Sequence, residues 1–195
     1  MIITNNIIKK ELENYSNKNN KISRNIKNGK LIKIKNGLYE TDSNTAGYLL
    51  ASSIYGPSYL SFDYALSFYG LIPEKVVSYT SATFDKKKKK KYYTFFGTYL
   101  YRDIPKEAYY VGVKLVVEGD YSYQIAIPEK ALCDKLYTLS PVKNFKELDN
   151  LLFNDLRIDK EEFKKMDLQK IEEISKLYHS TNVNFLYKYL KKIEK

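Results

Sequence analysis

At 195 residues and a net charge of +10, the chain has room for one large domain or two unequal small ones, and its charge favours a polyanionic partner. An apolar fraction of 44% and a charged fraction of 29% exclude a disordered chain and allow a packed core. The one cysteine, Cys133, and the one histidine, His179, exclude an internal disulfide and a Cys/His zinc site; no segment reads as a signal peptide or approaches the roughly 20 apolar residues of a membrane span, so a cytoplasmic location without membrane contact is expected.

The charge has two candidate sources. Lys, Asn, Ile and Tyr are abundant together, and all have A/T-rich codons, so genome composition alone would raise lysine. The distribution argues for selection in one place. Residues 1–45 carry 9 Lys+Arg against 4 Asp+Glu, net +5; residues 46–140 are net +3 and residues 141–195 net +2. The N-terminal segment is therefore selectively basic.

In chain order, Ile7, Ile8, Leu12 and Tyr15 predict a short helix over residues 5–15 capped by Asn5 or Asn6. The polar stretch 16–20 interrupts it. Ile22 and Ile26 share the buried face of a second helix over 20–28, which Gly29 ends. Ile32, Lys33, Ile34 and Lys35 alternate, and Asn36-Gly37 is a strong two-residue turn signal, so a β-hairpin with lysines on one face follows. Residues 44–55 and 60–69 read as helices, the second with Leu60, Tyr64, Leu66 and Phe68 inward and Gly70 at its end.

The period then changes to two. Residues 76–84 read as a strand, 92–96 and 98–102 as a hairpin about Gly97, and 111–117 and 121–127 as a hairpin about Glu118-Gly119-Asp120, giving a mostly antiparallel sheet of four or five strands. The six lysines from Lys86 to Lys91 fall between two strands and read as a mobile loop. Helices return over 128–139, with Pro128 at the first position and Ala131, Leu132, Lys135, Leu136 and Leu139 on one side. Asn144-x-x-Glu147 and Asp159-x-x-Glu162 are capping pairs, and amphipathic helices over 168–178 and 182–194 close the chain. The expected fold class is α+β: a small winged-helix-like module over residues 1–45, then a larger domain over 46–195 with a mostly antiparallel sheet and C-terminal helices.

Catalytic signatures are missing. The sequence has no phosphate-binding glycine loop, no dinucleotide fingerprint and no nucleophile elbow. Cys133 reads as a small buried hydrophobe, Asp134 beside it as a carboxylate that could pair with a cation, and His179 as a helix-end or surface residue. Neither an enzyme nor a metal or cofactor is expected. Carboxylate-dependent nuclease chemistry stays open as a contrasting class, because such ligands converge only in space.

The positive signal is a basic helix followed at once by a basic hairpin, the layout of a recognition helix and its wing. Arg24 and Asn25 are types that read guanine and adenine edges. Lys21, Lys27, Lys30, Lys33 and Lys35 suit phosphates, and Asn36 stands at the tip of the hairpin. The alternative is that these are the solvated faces of a helix and a hairpin.

Three stretches resemble the AbiEi family of abortive-infection antitoxins: Gly29 to Tyr39, Gly56 to Glu74, and Ile125 to Tyr137. The strand Thr80 to Thr83 and the segment Gly97 to Tyr101 fall between them in matching order. The resemblance implies a winged helix that binds and represses the promoter of its own operon, and a C-terminal domain that neutralises a nucleotidyltransferase-type toxin, directly or indirectly, in phage defence. It supplies no catalytic residues. Residues 5–28 hold two helices where a full winged helix has three, so the bundle is abbreviated or borrows a helix from the following segment. A stand-alone transcriptional regulator, with the sheet domain used for a ligand or for dimerisation, is the alternative function.

Overall fold

The computed structural model describes residues 1–193. A strand precedes the first helix: β1 (Ile2–Thr4) runs directly into α1 (Asn5–Glu11), followed by α2 (Lys18–Lys27), β2 (Ile32–Lys35) and β3 (Leu38–Glu40). Helix α1 stops four residues before the expected end, and Ile7 and Tyr15 of the proposed stripe are exposed, while Ile8 and Leu12 are buried. Thr4 holds the cap position in place of Asn5 or Asn6. Helix α2 begins earlier than expected because the Asn17 side chain accepts from the Asn20 amide at 3.0 Å, satisfying an otherwise orphaned donor. It ends as Gly29 predicts. With φ at +71°, Gly29 donates to the Ile26 carbonyl and Lys30 to the Asn25 carbonyl, the paired bonds of a Schellman cap.

The three strands form a sheet ordered β1–β3–β2, both pairs antiparallel, with the hairpin turning at Asn36-Gly37 as expected. Its two faces belong to different cores. Tyr39 packs with Ile8, Leu12, Ile22 and Leu31 in a small cluster beneath the helices. Ile34 and Leu38 join the large cluster of the rest of the molecule.

The segment expected as one helix over 44–55 is a tight 3-10 turn, Gly47–Leu50, leading into α3 (Ala51–Ile54). A Cβ at Gly47 would stand 2.4 Å from the Tyr79 ring and 2.5 Å from the Phe96 carbonyl, so only glycine fits there. The helix expected from residue 60 is α4 (Phe62–Phe68). Tyr59 and Leu60 form a two-residue strand, β4, instead, because strands on both sides pair with their backbone. Leu66 is buried as expected, Tyr64 is half-buried, and Phe68 is exposed.

The main sheet comprises β4, β5 (Tyr79–Thr83), β6 (Lys90–Thr94), β7 (Gly97–Asp103), β8 (Val113–Glu118) and β9 (Tyr121–Ala126), in the order β6–β7–β5–β4–β9–β8. Three of its five pairings are antiparallel; β5 with β7 and β4 with β9 are parallel. The hairpin assigned to Gly97 turns instead at Phe95-Phe96, since Thr94 stands opposite Gly97.

Helix α5 (Pro128–Tyr137) crosses behind the sheet and packs on α4, α8 (Leu168–Ser175) and α9 (Thr181–Ile193). Between α5 and α8 lie α6 (Phe145–Asn150), a wide π-type turn (Leu151–Asp155) and α7 (Lys160–Lys164). The Asn144 and Asp159 caps form as the sequence predicts, with Asn144 accepting from the Glu147 amide at 2.9 Å. Residue 194 of the expected last helix lies outside the described residues. The fold class is α+β.

Candidate nucleic-acid interface

Ile22 anchors α2 in the small core, and this sets which residues face outward. Arg24 and Lys27 are exposed, Lys21 and Asn25 are half-buried, and Lys30 is exposed just past the cap. The Lys21 ammonium lies 4.9 Å from the centroid of the Tyr15 ring, a contact that holds the side chain against the helix turn. Asn25 has a second task, since its carbonyl accepts from both Lys30 and Leu31. Among the described residues, Lys21, Arg24, Lys27, Lys30 and Lys33 form no ion pair, so their charge is open to a ligand.

The hairpin divides its lysines. Lys33 stands opposite Tyr39, and cross-strand partners share a face, so exposed Lys33 leaves the sheet on the side that carries α1 and α2. The register slips between Lys33 and Lys35, and this irregularity re-aims Lys35. Its ammonium donates to the Ile54 carbonyl at the end of α3 and ties the hairpin to the body. The alternation therefore does not put the two lysines on one face. Asn36 is exposed at the tip.

Strand β2 also lies against β6, which places the hairpin beside the lysine run. The run is not one loop. Lys90 and Lys91 belong to β6 and pair with Tyr101 and Leu100 of β7. The Lys86 ammonium donates to the Gly56 carbonyl at 3.1 Å, and the Lys87 amide donates to Asp103 at 2.6 Å.

A second polar cluster lies in the interior, centred on Asp134, which pairs with a cation as its sequence reading allows. Lys130 and Asp134, one turn apart on α5, are both fully buried and 3.0 Å apart. Asp134 also accepts from Tyr59 at 2.9 Å, from Ser61 at 2.6 Å, and from Tyr178. The set joins β4, the entry to α4, α5 and the segment before α9. Burial, then the Asp134 charge, pushes the Tyr59 and Tyr178 hydroxyls well above the ordinary tyrosine range, so both remain donors. The i,i+4 spacing of Lys130 and Asp134 was the available signal. Cys133 is buried and its thiol is pushed up by that burial. His179 is exposed between α8 and α9. Among the described residues no three His, Cys, Asp or Glu side chains converge as a metal site, and no helix is long and apolar enough to cross a membrane.

No family model matches the chain, and no curated protein matches it.

Proposed function

We propose that the chain is an autoregulatory antitoxin: residues of α2 and the hairpin bind promoter DNA of its own operon as a repressor, and the larger domain neutralises a nucleotidyltransferase-type toxin in the cytoplasm, without catalysis of its own. The observation that carries the DNA half is the placement of α2. Its outward face holds Arg24 and Lys27 without ionic partners, and the adjoining hairpin presents Lys33 on the same side of its sheet. A helix for the major groove with phosphate contacts beside it suits that arrangement. The antitoxin half is supported by the sequence likeness at residues 56–74 and 125–137, which fall on β4–α4 and β9–α5.

The test uses the full chain. A mobility-shift titration with the region upstream of its gene is compared with rescue of growth on co-expression with the neighbouring toxin gene. Replacing Arg24 and Lys27 with alanine should weaken operator binding by about tenfold or more and leave rescue intact. Operator binding unchanged by the pair defeats the DNA assignment; failure of the unmodified chain to rescue defeats the antitoxin assignment. Removing residues 1–45 is the poorer experiment, since Ile34 and Leu38 belong to the large core.

That shared hairpin favours one second reading. A ligand or partner on the larger domain would reach the DNA module through Ile34 and Leu38, as suits a stand-alone regulator.

A further inference from the structure

We infer that the larger domain carries its own seat for single-stranded nucleic acid, on the outer face of β6–β7 and distinct from the duplex-binding surface of α2. Two adjoining clefts define it. One, of about 110 Å³, is lined by Leu100 and Lys135; the other, of about 330 Å³, is lined by Lys88 and Lys89. Both include Arg102 and Thr138, so they form one trough between β7, the segment before β6 and the end of α5.

Strand register explains why charge and rings collect there. Tyr99 and Tyr101 of β7 are buried in the core, so the alternate residues Leu100 and Arg102 point outward. Lys91 and Tyr93 stand opposite Leu100 and Thr98 and share that outer face. Tyr93 is 73% exposed and Phe95, in the adjoining turn, 67% exposed. The Lys91 ammonium lies 4.7 Å from the Tyr93 centroid. Lysines at this position would also serve to guard an edge strand. An edge guard needs no bare aromatic rings beside it, and no arginine in a trough.

Two carboxylates, Asp63 and Asp103, line the trough against the cations Lys87, Lys88, Lys89, Arg102 and Lys135, so its net charge is positive. Asp63 pairs with Lys135 at 2.6 Å, and Asp103 accepts from Thr83 and from the Lys87 amide. Lys88, Lys89 and Arg102 have no ionic partner among the described residues. The start of the run is fixed: Asp85 and Lys87 take φ values of +53° and +55°, and Lys86 is bound to Gly56. A basic trough with an exposed ring, Tyr93, on the same face of the sheet matches unpaired nucleotides, whose phosphates meet the cations and whose bases stack. A duplex hides its bases, and an acidic peptide would leave the rings unused.

The inference stands apart from toxin neutralisation and rests on the proposed DNA reading of α2 only for its duplex control. Its test is fluorescence anisotropy of the full chain with a labelled single-stranded oligonucleotide, competed with polyglutamate and with duplex. The triple variant K88S/K89S/R102S should weaken binding by about tenfold or more and flatten its salt dependence, with duplex affinity held within about twofold. Lys87 is kept because of its positive φ. Tyr93→Ala should weaken binding about tenfold at an unchanged salt slope, as lost stacking requires. The Arg24/Lys27 variant should bind the single strand normally. Wild-type affinity in the triple variant overturns the inference, as does loss of single-strand binding in the Arg24/Lys27 variant. Equal competition by polyglutamate also overturns it, in favour of an acidic protein surface. Thermal melts of each variant confirm that it is folded.

Discussion

The Lys130 ammonium stands 3.0 Å from the Asp134 carboxylate, with both side chains sealed from solvent behind the main sheet. Coulomb attraction at this depth is opposed by the cost of dehydrating both charges, so the pair holds because Tyr59, Ser61 and Tyr178 complete its hydrogen bonds.

Removing one member leaves the other charge buried and alone. Asp134→Ala and Lys130→Met should each destabilise the protein by about 3–5 kcal/mol, and the double replacement Lys130→Met with Asp134→Leu should cost less than the sum of the two. Urea denaturation of the cycle measures the coupling; additive losses would show that the pair does not act as a unit.

The chain holds 20 tyrosines. Burial raises several of their hydroxyls, that of Tyr109 to about 12 and those of Tyr59 and Tyr178 well above the ordinary range. In the unfolded chain tyrosines ionise near pH 10. Above that value the unfolded state has lost protons that the folded state keeps, so stability is intact below about pH 10 and falls as pH rises beyond it. Denaturation midpoints across this range, with tyrosinate absorbance as the second signal, should show unfolding and ionisation together. A midpoint flat through the alkaline range would contradict the burial of these hydroxyls.

Gly112 tests packing against backbone preference. Its φ is +72°, and a Cβ there would lie 2.9 Å from Lys130 Cβ. Gly119 has φ +58° with nothing within 4 Å. Gly119→Ala should cost about 1 kcal/mol for its dihedral alone, and Gly112→Ala at least about 2 kcal/mol because the Lys130 stem must also shift. Equal losses would mean that the close approach is relieved without cost.

Lys33 and Lys35 should behave differently although they are two residues apart. Lys33→Ala should weaken duplex binding and lower the salt slope by about 1. Lys35→Ala should leave the slope unchanged and cost about 1 kcal/mol of stability, because its ammonium is bound to the Ile54 carbonyl. Salt titrations and denaturation curves of the two variants decide it.

Arg24→Ala should cost about 1–3 kcal/mol of operator affinity and relax base preference at one position, whereas Lys27→Ala should weaken all duplexes alike. Affinities on a panel of single-base operator variants separate the two effects; identical profiles would make Arg24 another phosphate contact.

Features whose causes lie within a few residues are legible in the chain. The Asn36-Gly37 turn, the helix stops at Gly29 and Gly70, and the caps at Asn144 and Asp159 appear where local φ preference and short-range hydrogen bonds demand them. The α+β class is legible from period. Tertiary structure alone decided the rest. Leu60 reads as the start of a helix by pattern, yet with Tyr59 it forms a strand because β5 and β9 flank them. Lys35 reads as a free cation and becomes a tether, and a lone Asp134 becomes the centre of a buried network whose partners Tyr59 and Tyr178 are 75 and 44 residues away. Pairings of that kind are set by which surfaces exclude water together, and a linear pattern of residue types does not contain that distance.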